Sequence, residues 1–206
     1  MKFALLLSGI SLEINKHWQY GTLYSVDYNN SYENYQKYIF EYFTNKGYDI
    51  DVYISTNILP DNYKEDLLVK YKPVKCNFIE NEDDIYLSKK NKINDVINLC
   101  LKTGREYDLI LITQFDLLFQ KDFANCNIQF DKFNIVSILE YPNYICDNFY
   151  LFPYKYLSEF SKIIKSSSYL VKEDLENIDC PINYIVNEHY DSIDLSFYKN
   201  IKTPYI

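Results

Sequence analysis

The sequence predicts an α/β domain with a mixed, mostly parallel sheet flanked by helices. The amino-terminal half alternates short apolar runs with segments whose apolar residues recur at helical spacing, which is typical of βαβ units. Residues 3–7 form a continuous apolar run, and 109–113 is the most hydrophobic predicted strand, as expected for strands buried on both faces. The carboxyl-terminal half has shorter connections, so we expect a mixed sheet of about six or seven strands.

Local signals place each element along the chain. Strands are predicted at 3–7, 52–55, 75–79, 109–113, 135–139, 149–152 and 195–198, and helices at 31–47, 60–71, 88–104, 156–164 and 182–189. Ser31 and Ser88 are the predicted N-caps, because a serine hydroxyl accepts a hydrogen bond from the first free amides. Pro60 opens a helix, since proline is tolerated in the first turn. Gly47 and Gly104 are predicted to end two of the helices.

Length and charge narrow the class of protein. The chain has 206 residues, 48% of them apolar, which predicts a single domain over 1–206 with a sizeable core. We leave open that it is the amino-terminal part of a longer protein. With 21 Lys and Arg against 29 Asp and Glu, the net charge is −8. This balance argues against a nucleic-acid binder, which needs a basic surface.

The cysteines and the apolar runs indicate a cytoplasmic protein. The five cysteines are dispersed, without a C-x-x-C pair, which fits a reducing compartment. The first apolar run is too short for a signal peptide, and no cleavage site follows it. No run approaches the roughly 18 apolar residues that span a bilayer, so no membrane span is predicted.

Ligands of open α/β sheets bind beyond the carboxyl ends of the strands, which directs attention to the residues that follow each strand. After the first strand come Ser8, Gly9, Ile10 and Ser11, and after the strand at 109–113 come Gln114 and Asp116. No G-x-G-x-x-G, P-loop or G-x-S-x-G motif is present, which disfavours dinucleotide binding, P-loop chemistry and an α/β-hydrolase. Asp49-Ile50-Asp51 is a literal D-x-D, but it precedes its strand and is interpreted as a solvated loop at the wrong end of the sheet.

The block 107–119, Tyr-Asp-Leu-Ile-Leu-Ile-Thr-Gln-Phe-Asp-Leu-Leu-Phe, resembles the central segment of GT-A type glycosyltransferases. In that family a strand ends in a D-x-D motif that holds a divalent metal on the diphosphate of the sugar donor. Here Gln114 replaces the first acid. The resemblance implies that Asp116 is a catalytic residue that binds Mn²⁺ or Mg²⁺, ions that prefer oxygen ligands. Gln114 would support the metal or contact the sugar. The alternative for Asp116 is a simple turn residue at a strand end.

Other segments extend this resemblance. Residues 4–10 look like the first strand and the turn that contacts the nucleotide, so Ser8 to Ser11 would bind the donor. Residues 88–99 look like the helix before the metal strand, where Lys89 and Lys92 would pair with a phosphate; the alternative is a solvated helix face.

The resemblance also implies two residues nearer the carboxyl terminus. The segment 141–153 is similar to the part that places an acid near sugar and acceptor, and Asp147 is the candidate there. It would be the general base of an inverting enzyme or would orient the sugar in a retaining one. His189 would be a further metal ligand.

The function that this resemblance implies is metal-dependent transfer of a hexosyl group from a UDP-sugar, such as UDP-glucose, to a glycan or protein hydroxyl. Small GT-A domains of chlorella viruses are similar, which implies capsid glycosylation in the host cytoplasm. Two alternatives stay open: a non-catalytic module that recognises a sugar or nucleotide, and a nucleotidyltransferase, which would need a second acid near Asp116. The oligomeric state is left open.

Overall fold

A computed structural model of the chain describes residues 1–17, 23–139, 144–146, 148–167, 170–186, 189–190 and 197–200. The strands are β1 (Lys2–Gly9), β2 (Leu12–His17), β3 (Leu23–Asp27), β4 (Asp49–Asn57), β5 (Lys75–Ile79), β6 (Leu109–Gln114), β7 (Leu117–Phe119), β8 (Phe133–Ile135), β9 (Ile138–Leu139), β10 (Phe149–Pro153), β11 (Ile182–Tyr184), β12 (His189–Tyr190) and β13 (Tyr198–Asn200). The helices are α1 (Tyr28–Tyr35), α2 (Glu41–Asn45), α3 (Asp61–Tyr71), α4 (Ile85–Leu101), α5 (Leu157–Ser166) and α6 (Lys172–Glu176), with a π-helix at Gln36–Phe40 and 3-10 turns at Phe123–Asn125 and Tyr154–Tyr156.

The main sheet has seven strands in the order β11-β8-β10-β6-β1-β4-β5. β6 is its middle strand, and the neighbouring β1 pairs in parallel with β4 and β6. β10 runs antiparallel to both β6 and β8, while β11 is parallel to β8. The predicted α/β class, with a mixed, mostly parallel sheet flanked by helices, is therefore confirmed.

Alternation along β1 divides the apolar core between the two faces of the sheet. Phe3, Leu5 and Leu7 belong to a cluster that includes buried side chains of α1, the π-helix, α2 and α3. Ala4 and Leu6 belong to a second cluster that includes buried side chains of α4 and α5. Strands covered by helices on both faces read as continuous apolar runs, which explains the sequence pattern.

Two predicted N-caps are wrong by four residues each, because an aspartate lies earlier and caps each helix. Asp27 accepts from the backbone amide of Asn29, and α1 begins at Tyr28. Asp84 accepts from two amides of α4, which begins at Ile85. Ser31 lies inside its helix, with its hydroxyl donating to a backbone carbonyl one turn back.

Three further predictions are corrected by strand pairing. No strand is predicted between the first strand and the first helix, but β2 and β3 form an antiparallel hairpin there. The predicted strand at 135–139 is divided between β8 in the main sheet and β9 in a separate two-stranded sheet. The predicted helix at 182–189 is wrong, because its first residues, Ile182–Tyr184, pair in parallel with β8. Within the described part of the chain, no helix is long and apolar enough to cross a membrane.

Candidate functional site at the carboxyl edge of the sheet

The carboxyl ends of the central strands carry a row of polar side chains. Ser8 in β1 lies opposite Ser55 in β4 and Gln114 in β6, and Ser55 lies opposite Asn77 in β5. Register partners share a face of the sheet, and for this row it is the face covered by α4. The apolar pattern of that face thus ends in amide and hydroxyl groups at the edge where α/β proteins bind their ligands.

Asn148 connects two of the predicted donor-binding residues. Its side-chain oxygen accepts from Gln114 Nε2 at 2.7 Å and from Lys89 Nζ at 3.1 Å. Its backbone carbonyl accepts from the Thr113 hydroxyl at 3.0 Å. The structure therefore brings Lys89 of α4 and Gln114 of β6 to the same oxygen atom. Sequence reasoning missed Asn148, although the residue lies in the segment that the resemblance singled out.

Lys92 lies one turn further along α4 and is only 1% exposed. Its ammonium donates to Asn81 Oδ1 at 2.8 Å and to Ser88 Oγ at 2.7 Å. A buried ammonium is costly unless it is hydrogen-bonded, and these contacts fix the loop before α4 against the helix. Lys92 is thus a buried cation close to the edge, and Lys89 is the lysine that contacts Asn148.

The strand-end turn that carries Asp116 is held from the other face of the sheet. The Tyr35 hydroxyl donates to the backbone carbonyl of Gln114. Burial raises the pKa of Tyr35 well above its usual value, and the neighbouring Tyr71 and Asp116 raise it further, so Tyr35 stays a donor at neutral pH. Asp116 itself is only 3% exposed.

Hydrogen bonds connect the turn after β1 to the end of β4. The amide of Ser11 donates to Thr56 Oγ1 at 3.1 Å and to Asn57 Oδ1 at 3.0 Å, and Thr56 donates to the Ser11 hydroxyl at 2.8 Å. Gly9 has φ +98°, and a Cβ there would contact the Gln114 side chain at 3.8 Å. Of the four predicted residues, Ile10 alone is partly exposed.

Ser8 and Ser55 are buried neighbours whose hydroxyl oxygens have no hydrogen-bond partner. An unpaired buried hydroxyl costs stability, and buried groups of this kind call for an explanation. Both lie in the polar row, so the carboxyl edge contains polar groups that the fold itself does not satisfy.

The described donor set fits a divalent metal poorly. In the described parts of the chain, no group of three His, Cys, Asp or Glu side chains is placed to hold a metal. Among the described residues, the charged and amide side chains near the end of β6 include one carboxylate, from Asp116, one amide, from Gln114, and the Lys89 ammonium. Hard cations prefer several oxygen ligands, carboxylates among them, and an adjacent ammonium repels them. Asp147 and the side chain of His189 lie outside the described residues, so their predicted roles stay predictions; the backbone of His189 pairs with β9.

The literal D-x-D motif lies at the opposite edge, as predicted, although within β4 rather than in a loop. Asp51 Oδ2 accepts from Arg105 Nη1 at 2.7 Å and from the Tyr107 hydroxyl at 2.8 Å. The carboxylate is therefore engaged in an internal ion pair.

No protein-family model matches the chain, and no curated protein does. Among solved structures, the chain is similar to HddC from Yersinia pseudotuberculosis complexed with GMP-PN, with 14% identity and a TM-score of 0.42, covering 98% of this chain and 94% of that one. A second HddC structure from the same organism has 14% identity and a TM-score of 0.44, covering 99% and 95%.

Proposed function

We propose that the chain binds a nucleoside diphosphate sugar at the carboxyl edge of its sheet and transfers the sugar to a hydroxyl group. The observation that carries this proposal is the convergence of Lys89 and Gln114 on one oxygen of Asn148. An ammonium and an amide N–H directed at one point are suited to a diphosphate oxygen. The place also agrees with the general rule for ligands of open α/β sheets.

The reaction needs stabilisation of a departing diphosphate. The bond between the anomeric carbon and the diphosphate oxygen breaks, and its electron pair leaves with the diphosphate. A new bond forms to the acceptor oxygen, and the hydroxyl proton passes to a base. Fixed donors at the departing oxygens lower the barrier, which is the role proposed for Lys89 and Gln114. Asp147 is proposed as the base or sugar-orienting acid, and Asp116 as an acid that touches the donor.

The finer identity of donor and acceptor rests on the sequence resemblance. A UDP-sugar donor, a hexosyl group, a glycan or protein hydroxyl acceptor on a viral capsid and a cytoplasmic site of action are proposals of that origin. The same holds for a single catalytic domain over 1–206.

The first experiment is thermal unfolding with a panel of nucleotide sugars, followed by product analysis. A ligand at 100 times its dissociation constant stabilises the folded state by about 2.7 kcal/mol, so a true donor raises the midpoint. Transfer, or slow donor hydrolysis, releases a nucleoside diphosphate. Asp116→Asn is expected to reduce turnover, and full activity in that variant would remove Asp116 from the mechanism.

Two outcomes would replace the proposal. Release of pyrophosphate would indicate a nucleotidyltransferase, and a midpoint shift without any turnover would indicate a recognition module. No shift with any nucleotide sugar would contradict the site itself.

A further inference from the structure

The main sheet has two outermost strands, β5 and β11, and β5 is the longer, with five residues against three. We propose that two copies of the chain associate through β5, with the strand of one copy running antiparallel to that of the other. The two main sheets then join into one. The partner is a second copy of this chain, and the inference does not depend on the proposed function.

The backbone of β5 has a strand partner on its inner side alone among the described residues. That side pairs in parallel with β4 along all five residues, and β5 stands last in the strand order. Lys75 and Asn77 of this strand are exposed, so a further strand can approach. The outer side of such a strand presents backbone N–H and C=O groups to any strand that lies alongside it.

The two ends of β5 carry charges of opposite sign. Lys72 and Lys75 lie at its start, Glu80 and Asp83 follow its end, and all four side chains are exposed. Among the described residues, none of the four takes part in an ion pair or a side-chain hydrogen bond. Lys75 and Glu80 are about 17 Å apart along an extended chain, which exceeds the screening length of about 8 Å at physiological salt. They therefore do not neutralise each other within one chain.

A second copy brings these charges together when the two strands run antiparallel. A two-fold axis perpendicular to the sheet near Asn77 places Lys75 of each copy close to Glu80 of the other. Opposite charges on neighbouring strands stabilise their pairing, whereas like charges, which a parallel arrangement would bring together, destabilise it. The symmetry makes the contact occur twice and closes the assembly as a dimer.

Lys75 also restricts which strand can pair with β5. A lysine on an outermost strand discourages pairing when the incoming strand offers its ammonium no acid. A second copy of this chain supplies Glu80, so the lysine selects for self-association. Cys76 and Phe78 remain partly exposed beside the cluster that includes α3, and an added strand would bury more of them. β11 is uncharged along its three residues and offers no such complementarity.

The first test is the oligomeric state of the full chain, measured by sedimentation velocity across the micromolar range. Pairing of this length gives less than a standard stable interface, so we expect a reversible dimer with a micromolar dissociation constant. Amide hydrogen exchange locates the contact, because peptides covering 75–79 should exchange more slowly as the dimer forms. A chain that stays monomeric at high micromolar concentration, or a dimer without protection of 75–79, would overturn the inference.

Charge reversal tests the pairing itself. Lys75→Glu and Glu80→Lys should each weaken dimerisation about tenfold or more, because an attraction becomes a repulsion at two symmetric contacts. The double variant exchanges the two charges and should recover most of the affinity. Lys162→Glu is the control for net charge, since Lys162 is exposed on a different helix, α5. Equal losses in Lys75→Glu and Lys162→Glu, or no recovery in the double variant, would contradict the antiparallel contact.

Discussion

Charged side chains have different partners at the two edges of the sheet. At the amino edge, the Asp51 carboxylate meets the Arg105 guanidinium and the Tyr107 hydroxyl, and Tyr107 in turn bonds to Tyr53 at 2.6 Å. At the carboxyl edge, Lys89 donates to an amide oxygen. Opposite charges are paired at the amino edge, whereas the described contact of Lys89 at the carboxyl edge is with a neutral amide oxygen of Asn148.

This difference separates a stabilising arrangement at the amino edge from the edge at which we propose a ligand site. Polar groups that satisfy one another contribute to folding and leave little for a ligand. The comparison teaches that a D-x-D motif is informative only at the edge where α/β sheets bind ligands, which is the edge of Gln114 and Asp116 rather than that of Asp49 and Asp51.

The largest expected effect is on stability at the amino edge. Asp51→Ala removes the acceptor of Arg105 and Tyr107 and should lower the free energy of unfolding by about 2 kcal/mol, with UDP binding unchanged. Asp49→Ala is the control, because Asp49 is the exposed acid of the same motif. Urea unfolding of both variants measures the difference. Equal stability in the two would mean that the Asp51 network contributes nothing.

Alkaline pH should lower the free energy of unfolding through Tyr107, at the same amino edge. Burial raises the pKa of Tyr107, and its bonds to Tyr53 and Asp51 raise it further, above the usual value of 10.0. The folded state therefore holds this proton more tightly than the unfolded state. The contribution of the protonated Tyr107 hydroxyl to the free energy of unfolding is complete below pH 10. It is lost as the pH rises above 10, by about 1.4 kcal/mol per pH unit. When unfolding is measured at several alkaline pH values, the free energy of unfolding should decline less steeply with pH in Tyr107→Phe than in the unmodified chain. Identical slopes in the two proteins would show that Tyr107 is not the group responsible.

At the carboxyl edge, Gln114→Asp would restore the acid pair with Asp116. Adding a carboxylate should tighten Mn²⁺ binding about tenfold, and Gln114→Asn is the neutral control of the same size. Paramagnetic relaxation of water by Mn²⁺ measures the affinity. If the aspartate variant binds Mn²⁺ no better than the asparagine variant, the end of β6 is not a place where a metal ligand set can be completed.

The smallest effect is expected at Ser55, which is 0% exposed and has an unpaired hydroxyl. Ser55→Ala should leave the free energy of unfolding unchanged or raise it by up to about 1 kcal/mol, since no hydrogen bond is lost. Ser11→Ala removes a hydroxyl that Thr56 does bond and should lower it by about 1 kcal/mol. Thermal unfolding distinguishes the two, and a clear loss in Ser55→Ala would show that its hydroxyl is satisfied in solution.

The sequence predicts the centre of this fold better than its edges. β1 and β6 are evident because strands buried on both faces are apolar throughout. The predicted helix at 182–189 is wrong because its first residues pair as a strand with β8. Asn183 also donates to Asn134 Oδ1 at 2.8 Å. Local periodicity carries no information about such a partner in a distant segment.

The residues of the candidate site also differ in how well the sequence predicts them. The position of Gln114 at a strand end follows from the apolar run before it, and Lys89 is singled out by the family resemblance of its helix; the roles of both stay predictions. Asn148 cannot be predicted, since it meets Gln114 only because β10 runs antiparallel to β6, with Phe149 opposite Thr113. That pairing is long-range, and nothing in the local sequence around Asn148 indicates it.

The Asn148 oxygen also has a consequence for turnover. It accepts from the Lys89 and Gln114 donors, so under the proposed function a diphosphate oxygen that displaced it would gain only the difference between two acceptors rather than two new bonds. The affinity for the diphosphate would be limited for that reason. On departure of the diphosphate, the amide oxygen would accept again from both donors, and the proposed site would therefore favour rapid release of its product.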